Sequence, residues 1–439
     1  MAFCHYRSVR LGRNTVRILH TSDWHLGRTL EGRPRLPEQE QFIEELIDIV
    51  QGEDVKLILI AGDVYDTYNP SADAEKLFFD AVERLSDGGK RAVVAIAGNH
   101  DSPERLQAAN PLAVKHGISL LGYPGEHLPV TKSSAGVQRI SSGLGWLELQ
   151  IAGCEERVMV YTLPYPSESR LNEVLTENLD EEMQQIAYSE RIGRLFGAAD
   201  QIFRPDTVNV ALAHLFAFGG VGCESERQLG GALAVSPQEM PKMAQYIALG
   251  HLHRPQQLHH TPAPCRYSGS PLSFSFSEAD QQKEVVIVDV KPGDIAHVRS
   301  IHLNSGRILK RWRAGNIEEA RNWCLSLQNQ NYWVEMELMA DGPIEINQLM
   351  ELRKLHPGLV TIRPIFPELN ETTDGRRLTE MSLVERFNLF FEREYGTMPS
   401  EDLIQYFLEM VNHSGEADDA VQDSHLQTEP HRIHGGGQS

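Results

Sequence analysis

Five short apolar runs along the chain end the same way, by breaking into a polar cluster. Residues 16–20 (VRILH) run into TSDWH, 57–61 (LILIA) into GDVYD, 92–97 (AVVAIA) into GNHD, 208–213 (VNVALA) into His214, and 246–249 (YIAL) into GHLH. Continuous apolar runs of this length, rich in Val and Ile, predict strands buried on both faces. Between the first three lie helical patterns. Residues 38–50 place Phe42, Leu46, Ile49 and Val50 on one stripe, and residues 72–85 do the same with Leu77, Phe78, Ala81, Val82 and Leu85. Strands alternating with helices predict a layered α/β core.

A second pattern starts near Ile301: strand 301–312, helix 317–327, strand 332–338, helix 346–355, strand 359–365. It predicts a compact α+β module of the split βαβ kind. A linker at about 367–379 follows, then two short helices, 383–395 and 401–411. Gly396 is placed to end the first and Ser400 to cap the second. The expected divisions are a lead-in at 1–15, a core at 16–295, a small cap at 296–367, linker and helices at 368–412, and an acidic tail at 413–439. Residues 1–15 show no strand or helix period, and the tail closes on Gly-Gly-Gly-Gln-Ser. Both are expected to be disordered.

Composition narrows the partners. In 439 residues, 41 Lys and Arg against 61 Asp and Glu leave a net charge of −20. Such a field argues against non-specific electrostatic binding of nucleic acid, so any contact with DNA needs a local source of positive charge. The five cysteines are scattered and none forms a C-x-x-C, which fits reduced thiols in a cytosol and excludes a zinc ribbon or disulfide framework. No apolar run approaches the roughly 18 residues of a membrane span.

The polar clusters carry the chemistry. Asp23, His25, Asp63, Asn99, His100, His214, His251 and His253 all sit just past a strand, where open α/β sheets bind ligands. Carboxylate, imidazole and amide oxygen form a mixed O/N set that suits manganese, iron or zinc. Residues i and i+2 of a strand point the same way, so Asp23 and His25 are expected to deliver two groups to one side, and so are His251 and His253. The donors are too many for one tetrahedral ion. Two ions sharing a carboxylate use them economically, with Asp63 as the natural bridge.

The motifs D23-x-H25, G62-D63-x-x-D66, G98-N99-H100-D101, His214 and G250-H251-x-H253 resemble those of the calcineurin-like metallophosphoesterases over about residues 16–290. The phrases TSDWHLG, LILIAGDVYD, AGNHDSPERL, LPYP, AHLF and IALGHLHRPQ resemble more closely the SbcD family of bacterial nuclease subunits, across nearly the whole chain. The resemblance implies a layered β-sandwich core flanked by helices, with a small α+β cap and C-terminal helices. It implies that Asp23, His25 and His253 hold one ion, that Asn99, His214 and His251 hold the other, and that Asp63 bridges. Two divalent ions, manganese first among the candidates, supply Lewis acidity and acidify the water that attacks phosphorus in line.

His100 is then expected, as an imidazolium, to stabilise the equatorial oxygens or protonate the leaving alkoxide, with Asp101 fixing its tautomer and Asp66 accepting a hydrogen bond behind the ligands. Arg28, Arg33, Arg35 and Arg254, and Lys310, Arg311 and Arg313 around Trp312, are candidates for phosphate contact. The implied activity is a manganese-dependent DNA nuclease, a 3′–5′ exonuclease on duplex ends and an endonuclease on hairpins or single strands. It would act in the cytoplasm with the SbcC coiled-coil ATPase, as a homodimer within a heterotetramer, in DNA repair, replication and recombination. The two C-terminal helices would dock on that ATPase. Alternatives are a small phosphodiester or nucleotide hydrolase on the same site, and a non-catalytic assembly subunit. Relatives typically begin near Val16, so translation is expected to start at that codon.

Overall fold

The computed structural model describes residues 15–131, 136–173, 180–223, 226, 233–328, 330–340, 342, 344–366, 382–395, 398–400 and 403–407. The expected tail, nearly all of the lead-in, the whole linker at 367–379, Gly396, and residues 401–402 and 408–411 of the second expected helix lie outside these residues. The chain divides into two units, Met1–Ile365 and Phe366–Ser439.

The first unit starts with β1 (Val16–Thr21), a small hairpin of β2 (Thr29–Leu30) and β3 (Arg33–Pro34), α1 (Leu36–Gly52), β4 (Leu57–Ile60), α2 (Ala72–Ser86) and β5 (Ala92–Ile96). Short helices α3 (Pro103–Gln107) and α4 (Asn110–Ala113) lead to β6 (Ile118–Leu121). A meander of β7 (Gln138–Gly143), β8 (Trp146–Gln150) and β9 (Arg157–Leu163) is followed by α5 (Glu168–Leu171), α6 (Glu181–Ile202), β10 (Val208–His214) and β11 (Tyr246–Gly250). Then come β12 (Gln256–Leu258), β13 (Cys265–Tyr267), β14 (Glu284–Val290) and β15 (His297–His302).

Two sheets result. One has six strands in the order β15-β14-β1-β4-β5-β6, and the other seven in the order β12-β13-β11-β10-β9-β8-β7. Alternation along each strand explains the four layers. Ile18, Leu57, Leu59 and Val94 meet Val160, Val210 and Ala248 between the sheets. Their neighbours Leu19, Ile58, Ile60 and Val93 face outward onto Phe42, Leu46 and Phe78 of α1 and α2. On the far side, Ala211 and Ile247 pack against Tyr188, Ile192 and Phe196 of α6. Every central strand is therefore buried on both faces, as its unbroken apolar run requires. Helix α2 starts where Ser71 accepts a hydrogen bond from the Ala74 amide and stops at Asp87 in a left-handed conformation.

The region after Ile301 differs from expectation. The single strand expected over 301–312 is two strands, because Gly306 turns the chain with φ +80. The first part, β15, pairs antiparallel with β14 and completes the core sheet to His302, past the division expected at 295/296. The second part, β16 (Ile308–Ala314), begins the cap, which continues through α7 (Ile317–Ser326), β17 (Tyr332–Met339), α8 (Ile346–Leu355) and β18 (Leu359–Ile365). All three cap strands are parallel and neighbours in chain order, so no strand splits the βαβ pairs as the split arrangement would have it. Trp312, Cys324, Val334, Met336, Leu352 and Leu359 form its core. The cap is tied to the sandwich through Glu38 of α1. Its carboxylate accepts from Arg35 at 2.8 Å, the Trp333 indole at 2.8 Å and the Arg307 amide at 2.6 Å.

The second unit contains α9 (Leu383–Tyr395) and a helical stretch at 403–407. The Leu403 amide donates to Ser400 Oγ at 3.3 Å, the capping expected of that serine. Phe387 and Phe407 stack with ring centroids 4.1 Å apart. The two helices expected to dock are therefore in contact with each other through one aromatic ring from each.

Candidate metal centre

Asp23 and His25 follow β1, Asp63 and Asp66 follow β4, and Asn99, His100 and Asp101 follow β5. On the second sheet His214 ends β10, and His251 and His253 follow β11. The side chains converge at the carboxyl ends of these strands, though not by strand alternation. β1 ends at Thr21 and β11 at Gly250. Asp23, His25, Asp63 and His251 have φ of +53, +44, +48 and +106, so left-handed backbone turns each donor inward. Such conformations cost about 1–3 kcal/mol each in non-glycine residues and mark functional sites. Two glycines permit the close approach of the loops. A Cβ on Gly98 would overlap the Asp63 carboxylate and amide, and one on Gly250 would overlap the Ala61 carbonyl.

Three donor groups form, each with its ligand atoms within 4.8 Å of one another: Asp23, His25 and His253; Asp23, Asp63 and His214; and His25, Asp63 and His100. In the first, His25 Nε2 lies 3.1 Å from His253 Nε2. On the other side, Asn99 Oδ1 is 2.9 Å from both His214 Nε2 and His251 Nδ1. Asp63 Oδ2 stands between the two sides, 3.6 Å from His25 Nε2 and 3.5 Å from His214 Nε2.

The electrostatics ask for a cation. Burial pushes His25 and His251 down to about 3, so both rings are neutral and offer lone pairs. Burial also opposes charge on His214, but the adjacent Asp63 carboxylate outweighs it and pushes the ring up to about 9. His214 Nδ1 lies 2.7 Å from the Ala61 carbonyl, which only accepts, so this nitrogen carries a proton and Nε2 is the one aimed at Asn99 and Asp63. Lone pairs of buried imidazoles turned toward one another, with carboxylates beside them, fit divalent ions by the chemistry of the donors themselves.

His100 Nδ1 lies 2.7 Å from the backbone carbonyl of Asp66, to which it must donate, leaving Nε2 free. This corrects the role expected of Asp101. Its buried carboxylate is engaged by the amides of Val64 (3.1 Å), Tyr65 (2.8 Å) and Gly98 (2.8 Å), and the His100 tautomer is set by Asp66. The Asp66 carboxylate lies 3.4 Å from His25 Nδ1 and 3.4 Å from Arg28.

Other supports were not legible in the motifs. Arg170 of α5 donates to the carbonyls of Gly98 and Asp101, both at 2.7 Å, and clamps the loop bearing Asn99 and His100. Tyr165 lies nearly parallel to the His251 ring with centroids 6.1 Å apart, and Phe274 packs on both His25 and His253. Only the LPYP phrase pointed near Tyr165. Of the candidate phosphate contacts, Arg35 is buried in its pair with Glu38 and is unavailable. Arg28 is part-buried over the Phe274 ring, Arg33, Arg254, Lys310 and Arg313 are exposed, and Arg311 is held 2.9 Å from Glu335.

Residues 16–255 match the calcineurin-like phosphoesterase family. The chain is 42% identical over 407 residues to a protein named as the SbcD component of the SbcCD nuclease from Bacillus subtilis, covering 92% of this chain and 100% of that protein. It is 25% identical over 406 residues to the protein of the same name from Staphylococcus epidermidis, covering 90% and 99%. A solved dimetal phosphatase from Danio rerio covers 66% of this chain and 100% of its own, with 12% identity and a TM-score of 0.36.

Proposed function

The chain belongs to the calcineurin-like phosphoesterases and, within them, to the SbcD family of nuclease subunits, and from that premise we propose that it is a manganese-dependent DNA nuclease hydrolysing phosphodiesters on a two-ion centre. The observation that carries this reading is the position of Asp63, with one oxygen within 3.6 Å of donors on both sides of the site. Asp23, His25 and His253 would hold one ion, Asn99, His214 and His251 the other, with Asp63 shared. Divalent ions there would supply Lewis acidity and offset the acidic field that otherwise repels DNA.

The chain's own groups do the rest. His100, with Nδ1 fixed on the Asp66 carbonyl, presents Nε2 to stabilise the phosphoryl oxygens or hand a proton to the departing alkoxide. Arg170 and the Asp101 carboxylate hold that loop at the required distance from Asp63. Arg28, beside Asp66, orients a phosphate oxygen.

The same reading assigns a 3′–5′ exonuclease on duplex ends and an endonuclease on hairpins or single strands, acting in the cytoplasm in DNA repair, replication and recombination. Its partner would be the SbcC coiled-coil ATPase, met through the C-terminal helices within a heterotetramer built on a homodimer. The relatives' shared name, which makes each a component of SbcCD, supports the partnership. Among the described residues no helix is long and apolar enough to cross a membrane.

The test is the purified chain with manganese on end-labelled duplex DNA, on a hairpin and on bis-p-nitrophenyl phosphate, beside His100→Ala. Expected are release of 3′ nucleotides, hairpin opening, and a loss of about 10²–10⁴-fold in turnover for His100→Ala with both ions retained. Hydrolysis of the small diester alone would sink the nuclease reading. Loss of an ion from His100→Ala would make His100 a ligand, as its place beside His25 and Asp63 permits.

A further inference from the structure

His253 has two faces. Its Nε2 looks at His25 across 3.1 Å, within the donor group with Asp23. Its Nδ1 looks the other way, into a buried polar nest that the motifs do not announce. There Glu278 Oε1 stands 3.6 Å from Nδ1, and Glu226 Oε1 stands 3.9 Å away. Glu278 is fully buried and its partner Lys283 is buried too, with an ammonium that donates to Glu278 Oε2 at 2.6 Å. The same ammonium donates to the His253 carbonyl at 2.9 Å and to Ser270 Oγ at 3.0 Å. The Ser270 amide also donates to that carbonyl, at 3.1 Å. Lys283 therefore grips both the carboxylate facing the ring and the backbone carrying it.

A neutral imidazole can place its proton on either nitrogen, and only the tautomer with Nε2 bare can ligate through Nε2. A carboxylate facing Nδ1 favours the proton there. Metal-bound histidines are usually oriented in this way by a second partner. The two carboxylates near Nδ1 are not equivalent. Glu226 already accepts from the His253 and Cys223 amides, so it anchors the backbone. Glu278 Oε1 receives the Phe274 and Ser275 amides, each at 3.2 Å, in a capping box on the short helix 276–278. Capping explains those two contacts. It does not explain why the other oxygen is paired with a buried lysine that also holds the His253 carbonyl.

We propose that Glu278 and Lys283 are positioning residues for His253, fixing its proton on Nδ1 and its bare Nε2 toward Asp23 and His25. This inference rests on the reading above that those three residues hold one ion. Glu278→Gln is the informative change, because it preserves volume and the Lys283 bond, while an NH2 group in the Oε1 place no longer accepts the Phe274 and Ser275 amides. The amide oxygen keeps the Lys283 bond, so the NH2 group faces Nδ1. An NH2 group there donates to Nδ1 and drives the ring proton onto Nε2, the nitrogen that must be bare.

The measurements are long-range ¹H–¹⁵N spectra of metal-free protein labelled at histidine, with His253 assigned by its loss in His253→Gln, and calorimetric titration with Mn²⁺. The wild type should show the proton on Nδ1 and bind two ions. Glu278→Gln should move the proton toward Nε2 and weaken one ion about 10–100-fold while sparing the other. Glu278→Leu/Lys283→Met, which removes both charges and leaves neither partner stranded, should lose the tautomer preference and weaken the same ion. An unchanged tautomer and two unchanged affinities in Glu278→Gln would overturn the proposal and leave Glu278 a helix cap. A wild type that binds fewer than two ions would instead overturn the two-ion reading, and this inference with it.

Discussion

Asp101 separates positioning from chemistry in this site. It follows His100 directly, yet its carboxylate turns away from the ring to gather three backbone amides from two loops. Oδ2 takes the Val64 and Gly98 amides and Oδ1 takes that of Tyr65, all in a fully buried setting. Asp101→Asn keeps at best two of the three bonds, with its oxygen in the Oδ2 place and its NH2 opposed to the Tyr65 N–H. One stranded buried donor costs about 1–3 kcal/mol. Asp101→Ala strands all three, roughly 3–9 kcal/mol on the same scale, against a typical total stability of about 5–15 kcal/mol. Urea unfolding of metal-free protein measures the loss, and turnover of a small diester measures the chemistry. The expected pattern is a graded loss of stability, Asn then Ala, with Asp101→Asn keeping turnover within about tenfold wherever it is folded. If Asp101→Ala is destabilised by less than about 1 kcal/mol yet is inactive, the carboxylate acts in the reaction and the positioning argument fails.

Three further outcomes are expected. Asp63→Asn should weaken both ions together, since Asp63 faces donors on both sides; a titration in which only one affinity changes would remove its bridging role. His20 is buried with its Nδ1 3.0 Å from the Tyr246 hydroxyl, and burial lowers it to about 3. Its folded pKa lies below the unfolded value, so its contribution is whole above about pH 6.5 and is lost as pH falls from there toward 3, at up to about 1.4 kcal/mol per pH unit. His20→Phe/Tyr246→Phe should flatten the fall in unfolding free energy between pH 6.5 and 4.5 by about that slope, and an identical slope would exclude His20 as its source. Phe390, 58% exposed on α9, is a better probe of docking than Phe387 or Phe407, which stack on each other. Phe390→Glu should abolish co-purification with the coiled-coil ATPase and leave small-diester hydrolysis intact, and undiminished co-purification would count against docking through α9.

Much of the core was legible because its strands are covered on both faces, by a second sheet and by helices. That produces unbroken apolar runs ending sharply where the chain meets the site. The meander β7–β9 and helix α6 were not among the expected elements. In α6 only a narrow stripe of Tyr188, Ser189, Ile192, Phe196 and Ala199 is buried, and apolar residues such as Met183 and Ile186 lie off it, exposed. The false strand over 301–312 arose because Leu303 and Ile308 continue an apolar rhythm across a turn that Gly306 makes. The ligand candidates could be found from position alone, each at the last residue of a strand or just past it. Their supporting partners could not. Adjacency suggested Asp101 for His100, whereas the real partner is a carbonyl 34 residues upstream, that of Asp66. Glu278, Lys283 and Arg170 reach the site only through tertiary packing.

Four donors at the centre occupy left-handed backbone that glycine would adopt with less strain. Natural drift toward a more durable fold therefore runs against the site itself. Glycine at 23, 25, 63 or 251 relieves local strain of about 1 kcal/mol or more while deleting a donor. At Asp23 and Asp63 the change also strands the His251 and His100 amides that their carboxylates accept, so a screen for heat resistance alone would enrich it at His25 and His251, and survivors lacking either donor would be catalytically dead. Selection schemes for a sturdier version must score turnover at every round, because thermal endurance and hydrolysis are set in opposition at these two histidines.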